Sequence, residues 1–257
     1  MILNQIVEDK RKHVEIAKAL CPVKDLELSR KFDRRSLIRS IESRRVPVIA
    51  EIKKRSPSGG NMGSQYGLAE LALIYDKNGA AGISVLTDEK YFGGKPQDML
   101  EARRRSTLPI LRKDFIIDEY QIYEAFAFGA DAILLIAAIL DDSQISRYLA
   151  LAHELGMEVL VESHTKVELE KAIRSGAKLL GINNRNLDTL KTDLSISLSL
   201  LQLVPDDRIA ISESGISKSS DIKMLLEAGA KGFLIGESLL KNKDPGGKLT
   251  ELINVRV

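Results

Sequence analysis

From about residue 46 onward, short runs of aliphatic and β-branched residues alternate with longer stretches whose apolar positions recur at helical spacing. Eight runs predict strands, at 46–53, 82–87, 109–115, 132–137, 157–163, 179–185, 208–214 and 232–238. Their starts lie 22 to 36 residues apart, the length of one strand plus a crossover helix in a parallel sheet. The segments 67–80, 118–130, 141–157, 165–177 and 219–230 predict helices. Several end on Gly or a Gly-Ala pair just before the next strand, where a helix C-terminus favours a left-handed residue. Asp141, Thr165 and Ser219 or Ser220 stand where an oxygen can cap the first free N–H groups.

Eight such units in 257 residues predict an α/β fold of the (β/α)8 TIM-barrel type. An open doubly wound sheet fits less well, because KRSPSGG after the first strand lacks a dinucleotide-binding glycine turn. Residues 1–45 are too short and too charged to hold a core, so they form an N-terminal helical extension to a barrel over 46–257, one domain spanning 1–257. Within the extension, Ile2, Leu3, Ile6, Val7, Val14, Ala17 and Leu20 share a stripe that predicts a docking helix. The charges from Glu8 to His13 break the apolar run a signal peptide needs, and Glu8, Asp9 and Glu15 argue against a mitochondrial presequence.

Charge narrows the partners. The 38 Lys and Arg against 36 Asp and Glu leave a net charge of +2, with no field to gather nucleic acid or anionic membrane. The expected partner is therefore a small molecule, any anionic part of which must be held locally, and the protein is expected to act as a monomer. Cys21 is the only cysteine, which fits a reducing cytoplasm. No Cys or His spacing suggests a metal, and neither metal nor cofactor is expected. His164 reads as a loop residue rather than a base, and the basic runs at 30–36 and 102–106 read as solvated faces.

In a parallel barrel the reactive face lies at the carboxyl ends of the strands. There the sequence places Glu51 and Lys53, Lys113, Glu162, Asn183 and Arg185, and Glu213 with Ser214. Each alone could be a salt bridge or a solvated strand end. Gathered on one rim, they are costly unless they pair in a structural network or serve a ligand. Gly215 and Gly236 follow the seventh and eighth strands, where backbone N–H groups commonly hold a phosphate.

The ordered set IAEIKKRSPSGG, SVLTDEKYFGG, PILRKDF, EVLVESH, GINNRNL, SESGI and FLIGESL resembles the indole-3-glycerol phosphate synthase family over nearly the whole chain. The resemblance implies ring closure, decarboxylation and dehydration of 1-(2-carboxyphenylamino)-1-deoxyribulose 5-phosphate. It makes Lys113 the general acid and Glu162 the base, with Glu51, Lys53 and Asn183 positioning substrate and intermediate, and leaves open how Lys113 and Lys53 divide the acid role between ring closure and dehydration. It further implies substrate contacts at Ser56, Phe92, Phe115, Arg185, Glu213 and Ser214, and a phosphate held by Lys53, Gly215, Gly236 and Glu237, the last where some relatives carry Ser. A second cation near Lys113, such as Lys53, is expected to lower its proton affinity, and the environment of the base to raise its own. The extension is expected to cover part of the barrel mouth. A phosphosugar isomerase, a Schiff-base aldolase and a catalytically silent scaffold barrel remain as rival readings.

Overall fold

The structure is a computed structural model that describes residues 2–26, 28, 32–56, 60–61, 65–187 and 189–255. Eight parallel strands appear where the apolar runs predict them: β1 (Val48–Ile52), β2 (Gly82–Leu86), β3 (Ile110–Lys113), β4 (Ala132–Ile136), β5 (Glu158–Ser163), β6 (Leu179–Asn183), β7 (Ile209–Glu213) and β8 (Gly232–Ile235). Each pairs with its neighbour in sequence, and β1 also pairs with β8, so the sheet closes into a barrel. A two-residue antiparallel ribbon, Arg55–Ser56 with Gly60–Asn61, follows β1.

Strand alternation sorts the core into two layers. On β4, Leu134 and Ile136 join Ile49, Leu111, Leu160 and Leu234 inside the barrel, while Ile133 and Leu135 face the surrounding helices. The five predicted helices are present, and Gln97–Arg105, Ser195–Leu201 and Pro245–Ile253 complete the ring with shorter pieces between them. Asp141 and Thr165 cap as expected. Ser219 and Ser220 do not: Lys218 is the N-cap, and Asp221 reaches back to accept from the Ser217 and Lys218 N–H groups. Asp at the third helical position thus binds the N–H groups at and just before the N-cap, the second half of a capping box.

The N-terminal extension serves both ends of the barrel rather than the mouth alone. Helix Leu37–Glu42 closes the end where the strands begin, with Leu37 and Ile41 buried in the inner layer. Glu158 at the start of β5 accepts from Ser36 Oγ at 2.6 Å and Ile38 N at 2.9 Å, which holds that plug in place. Helix Ile2–Leu20 lies at the opposite end, buried through Ile6, Lys10 and Val14, whereas Leu20 is 82% exposed and leaves the predicted stripe.

The basic runs are not solvated faces. Buried Arg103 pairs with Asp131 at 2.6 Å and lies 5.1 Å over the Phe32 ring, and Arg35 donates to the Ser106 and Leu108 carbonyls at 2.8 Å. Three successive arginines on a helix point about 100° apart, so they do not share one environment. Arg103 turns inward because Asp131 can neutralise it, and only Arg104 and Arg105 of that run face solvent. Arg30 and Lys31 lie outside the described residues.

Candidate active site

The carboxyl ends of the strands surround a cavity of about 400 Å³. Register brings the polar ends together: Asn183 lies beside Glu213 across β6 and β7, and Glu162 beside Gly181 across β5 and β6. A Cβ at Gly181 would approach Glu213 Oε1 to 2.2 Å, so the Glu213 carboxylate could not keep this position beside a larger residue. Likewise a Cβ at Gly236 would meet Glu51 Oε1 at 2.5 Å. The carboxylates thus occupy space that two glycines leave open.

Charged groups dominate the cavity floor. Lys113 Nζ lies 2.6 Å from Glu162 Oε2 and 3.4 Å from Glu213 Oε2, while Lys53 Nζ lies 2.7 Å from Glu51 Oε1. Burial works against the Lys113 ammonium, yet Glu162, Glu213 and Glu51 outweigh it and raise its proton affinity. Burial likewise opposes charge on Glu162, but the Lys113 ammonium holds it ionised, down to about 2. Glu213 goes the other way. Burial and the neighbouring Glu162 charge push it up to about 8, and its two buried oxygens accept no hydrogen bond among the described residues.

These shifts correct the expected electrostatics. Lys53 does not lower the Lys113 proton affinity, because it is committed to Glu51 and the groups nearest Lys113 are carboxylates. The carboxyl group with raised proton affinity is Glu213, not Glu162, since Lys113 sits closer to Glu162.

One wall of the cavity is apolar. Phe92 and Phe115 approach with ring centroids 6.3 Å apart, near Leu86, Leu134 and Ile136. The other side carries the glycine turns. Ser214 and Gly215 both have positive φ, 66° and 80°, which bends the chain sharply after β7. Arg185 reaches across to Glu237 at 3.0 Å, and Lys241 holds the other Glu237 oxygen at 2.6 Å.

Of the residues singled out from sequence, Glu51, Lys53, Phe92, Lys113, Phe115, Glu162, Asn183 and Arg185 line this cavity, with Glu213, Ser214, Gly215, Gly236 and Glu237. Only the backbone of Ser56 is described, in the ribbon after β1; its side chain lies outside the described part of the structure. Sequence reasoning missed Thr192 and Lys241 at the rim, and Lys10 beneath it. Lys241 had a signal, a spacing of four residues from Glu237 that suits a helical ion pair. Lys10 had none, because its partners lie far along the chain.

Comparison with known proteins follows the same lines. The family model for indole-3-glycerol phosphate synthase matches residues 3–252. The chain is 48% identical to an indole-3-glycerol phosphate synthase of Legionella pneumophila (strain Paris) over 253 residues, covering 98% of each protein. It is 44% identical to the protein of that name from Carboxydothermus hydrogenoformans, covering 98% of this chain and all of the relative. Among solved structures, a thiamine phosphate pyrophosphorylase from Pyrococcus furiosus superposes with a TM-score of 0.60 at 14% identity, over 82% of this chain and 94% of that one. At that distance the likeness concerns the barrel fold alone.

Proposed function

The chain belongs to the indole-3-glycerol phosphate synthase family, and from that premise we propose how its cavity carries out the family's reaction. The reaction converts 1-(2-carboxyphenylamino)-1-deoxyribulose 5-phosphate to indole-3-glycerol phosphate by ring closure, decarboxylation and dehydration. The observation that carries the assignment of roles is the 2.6 Å approach of Lys113 to Glu162 inside one cavity.

Lys113, held protonated by its carboxylate neighbours, donates to the substrate carbonyl oxygen as negative charge develops there. The aryl carbon bearing the carboxylate then attacks, carbon dioxide leaves and the ring regains aromaticity. Loss of the hydroxyl needs a second proton donated and one removed from carbon; ionised Glu162 is placed to remove it. Lys53, beside Glu51, is the second available donor and also faces the phosphate. Asn183 orients hydroxyls, Glu213 with Arg185 and Ser214 completes the polar wall, and Phe92 and Phe115 flank the anthranilate ring. Backbone N–H groups at Gly215, Gly236 and Glu237, together with Lys53, hold the phosphate, and a substrate contact at Ser56 is proposed from the family resemblance alone.

A Schiff-base role for Lys113 is disfavoured, because an amine so strongly protonated is a poor nucleophile. Residues from Glu51 to Lys241 meet in the cavity wall, which supports a single barrel domain. The free Cys21 supports a cytoplasmic setting. The test supplies the substrate and follows indole emission, which stands clear of a protein containing no Trp. Emission that grows with enzyme concentration is the expected result; a flat trace at saturating substrate would overturn the reading.

A further inference from the structure

The reaction as written leaves a proton to be found. Two protons are donated, one to the carbonyl oxygen and one to the departing hydroxyl, and one is recovered from carbon. Substrate carboxylate plus one proton therefore gives indole product, carbon dioxide and water, so each turnover draws one proton from solvent. Glu162 can pass the recovered proton to Lys113 across 2.6 Å, but at 2% side-chain exposure Glu162 itself has no solvent contact through which to collect the missing one.

His164 stands where such a proton could enter. It follows β5 directly, and its ring lies between two carboxylates: Nε2 is 3.4 Å from Glu162 Oε1, and Nδ1 is 3.3 Å from Glu168 Oε2. The same Glu168 oxygen accepts from the His164 backbone N–H at 2.7 Å, which fixes the loop and the ring together. Glu168 sits in the first turn of helix Lys166–Arg174 and is 19% exposed at the side chain. Exposure thus rises in order from Glu162 through His164, at 11%, to Glu168. His164 Nε2 is buried and makes no hydrogen bond among the described residues, so it is aimed at Glu162 without being used structurally.

We propose that His164 is a proton relay, positioned by Glu168, that carries the proton consumed in each turnover from solvent to Glu162. The ring keeps its Nδ1–H on Glu168, whose carboxylate stabilises the doubly protonated form, while Nε2 takes up the solvent proton and releases it to Glu162 Oε1. Glu162 then reloads Lys113, and the ring is left in its starting tautomer. Electrons stay on their atoms throughout, since only protons move. The inference rests on the assignment of Glu162 as base made above.

The experiment compares the full-length wild type with His164→Asn, Glu168→Gln and Glu162→Gln by indole emission, with and without millimolar imidazole. For His164→Asn, kcat falls about 100-fold, the lower end of what a proton-transfer group contributes, while KM stays within about twofold. Imidazole restores part of kcat. Glu168→Gln loses less and responds less to imidazole, and Glu162→Gln stays about 1000-fold down with or without it. A purely structural His164 would give no imidazole rescue, and either that result or an unchanged kcat overturns the relay. If Glu162→Gln instead keeps its activity, the assignment of the base has failed and not the relay alone. Should His164→Asn not fold, His164→Gln carries the same comparison.

Discussion

Strand β3 supports two buried clusters of charge on opposite faces, and they are built differently. Facing the helices, Arg112 pairs with Asp114 at 2.9 Å and Glu124 at 2.7 Å, and Lys10 pairs with Asp88 and Asp114 at 2.7 Å each. Thr87 Oγ1 donates to Asp114, and the Arg112 guanidinium also donates to the Gln121 carbonyl. Every charge there has an opposite partner. One residue along the strand, on the inner face, Lys113 serves two carboxylates, and Glu213, 3.4 Å from it, accepts no hydrogen bond among the described residues. Both clusters cost desolvation, but only the first recovers it within the protein. A closed network clamps an element; an open one beside a cavity is completed by a ligand.

That contrast can be broken in one place at a time. The largest effect is expected at the open cluster. Glu162→Gln should lower kcat by about 1000-fold, within the range for a general base, while thermal melting stays close to wild type. A comparable loss of folding stability would mean that Glu162 belongs to a clamp instead. Arg112→Met should do the reverse. Removing one partner of a buried network costs about 3–5 kcal/mol, read as a lower denaturation midpoint. Stability within 1 kcal/mol (about the worth of an exposed pair) would show that Arg112 is dispensable.

A third effect depends on pH. Glu213 is pushed up to about 8 in the fold, above the 4.5 of an ordinary Glu, so between those values the folded state binds more protons than the unfolded chain. Its contribution to stability is therefore complete below 4.5 and lost as pH rises through about 8. Chemical denaturation between pH 5 and 9 should show a decline of at most about 1.4 kcal/mol per pH unit from this group, absent in Glu213→Gln. An equal slope in both proteins would place the unsatisfied carboxyl elsewhere. The smallest effect is expected at the surface. Lys18 pairs with Asp118 at 2.7 Å while about one third exposed, so Lys18→Ala should change stability by about 1 kcal/mol or less. A larger loss would mean that the N-terminal helix is held by that pair rather than by Lys10.

The parts of the molecule that were legible in sequence are those written in local period. Eight aliphatic runs gave the strands, and polar residues at their carboxyl ends gave Lys113, Glu162, Asn183 and Glu213, because a parallel barrel gathers those ends on one face. The rest depended on pairs far apart along the chain. Lys10 reads as one more charge on a helix until Asp114, 104 residues later, meets it. Arg103 reads as a solvated arginine until Asp131 appears behind it. His164 was placed correctly in a loop, yet its neighbours Glu162 and Glu168 lie on opposite sides of the ring, which spacing alone cannot express. The direction of the proton affinities was lost for the same reason, since it depends on which carboxylate Lys113 approaches.

The most direct measurement is indole emission from Lys113→Met under conditions where wild type turns over, alongside its melting curve. The account predicts no detectable product from a protein that melts as wild type does, because the amine that donates the first proton is gone while the clamp on the other face of β3 is intact. Indole formed at an appreciable rate by that variant would contradict it.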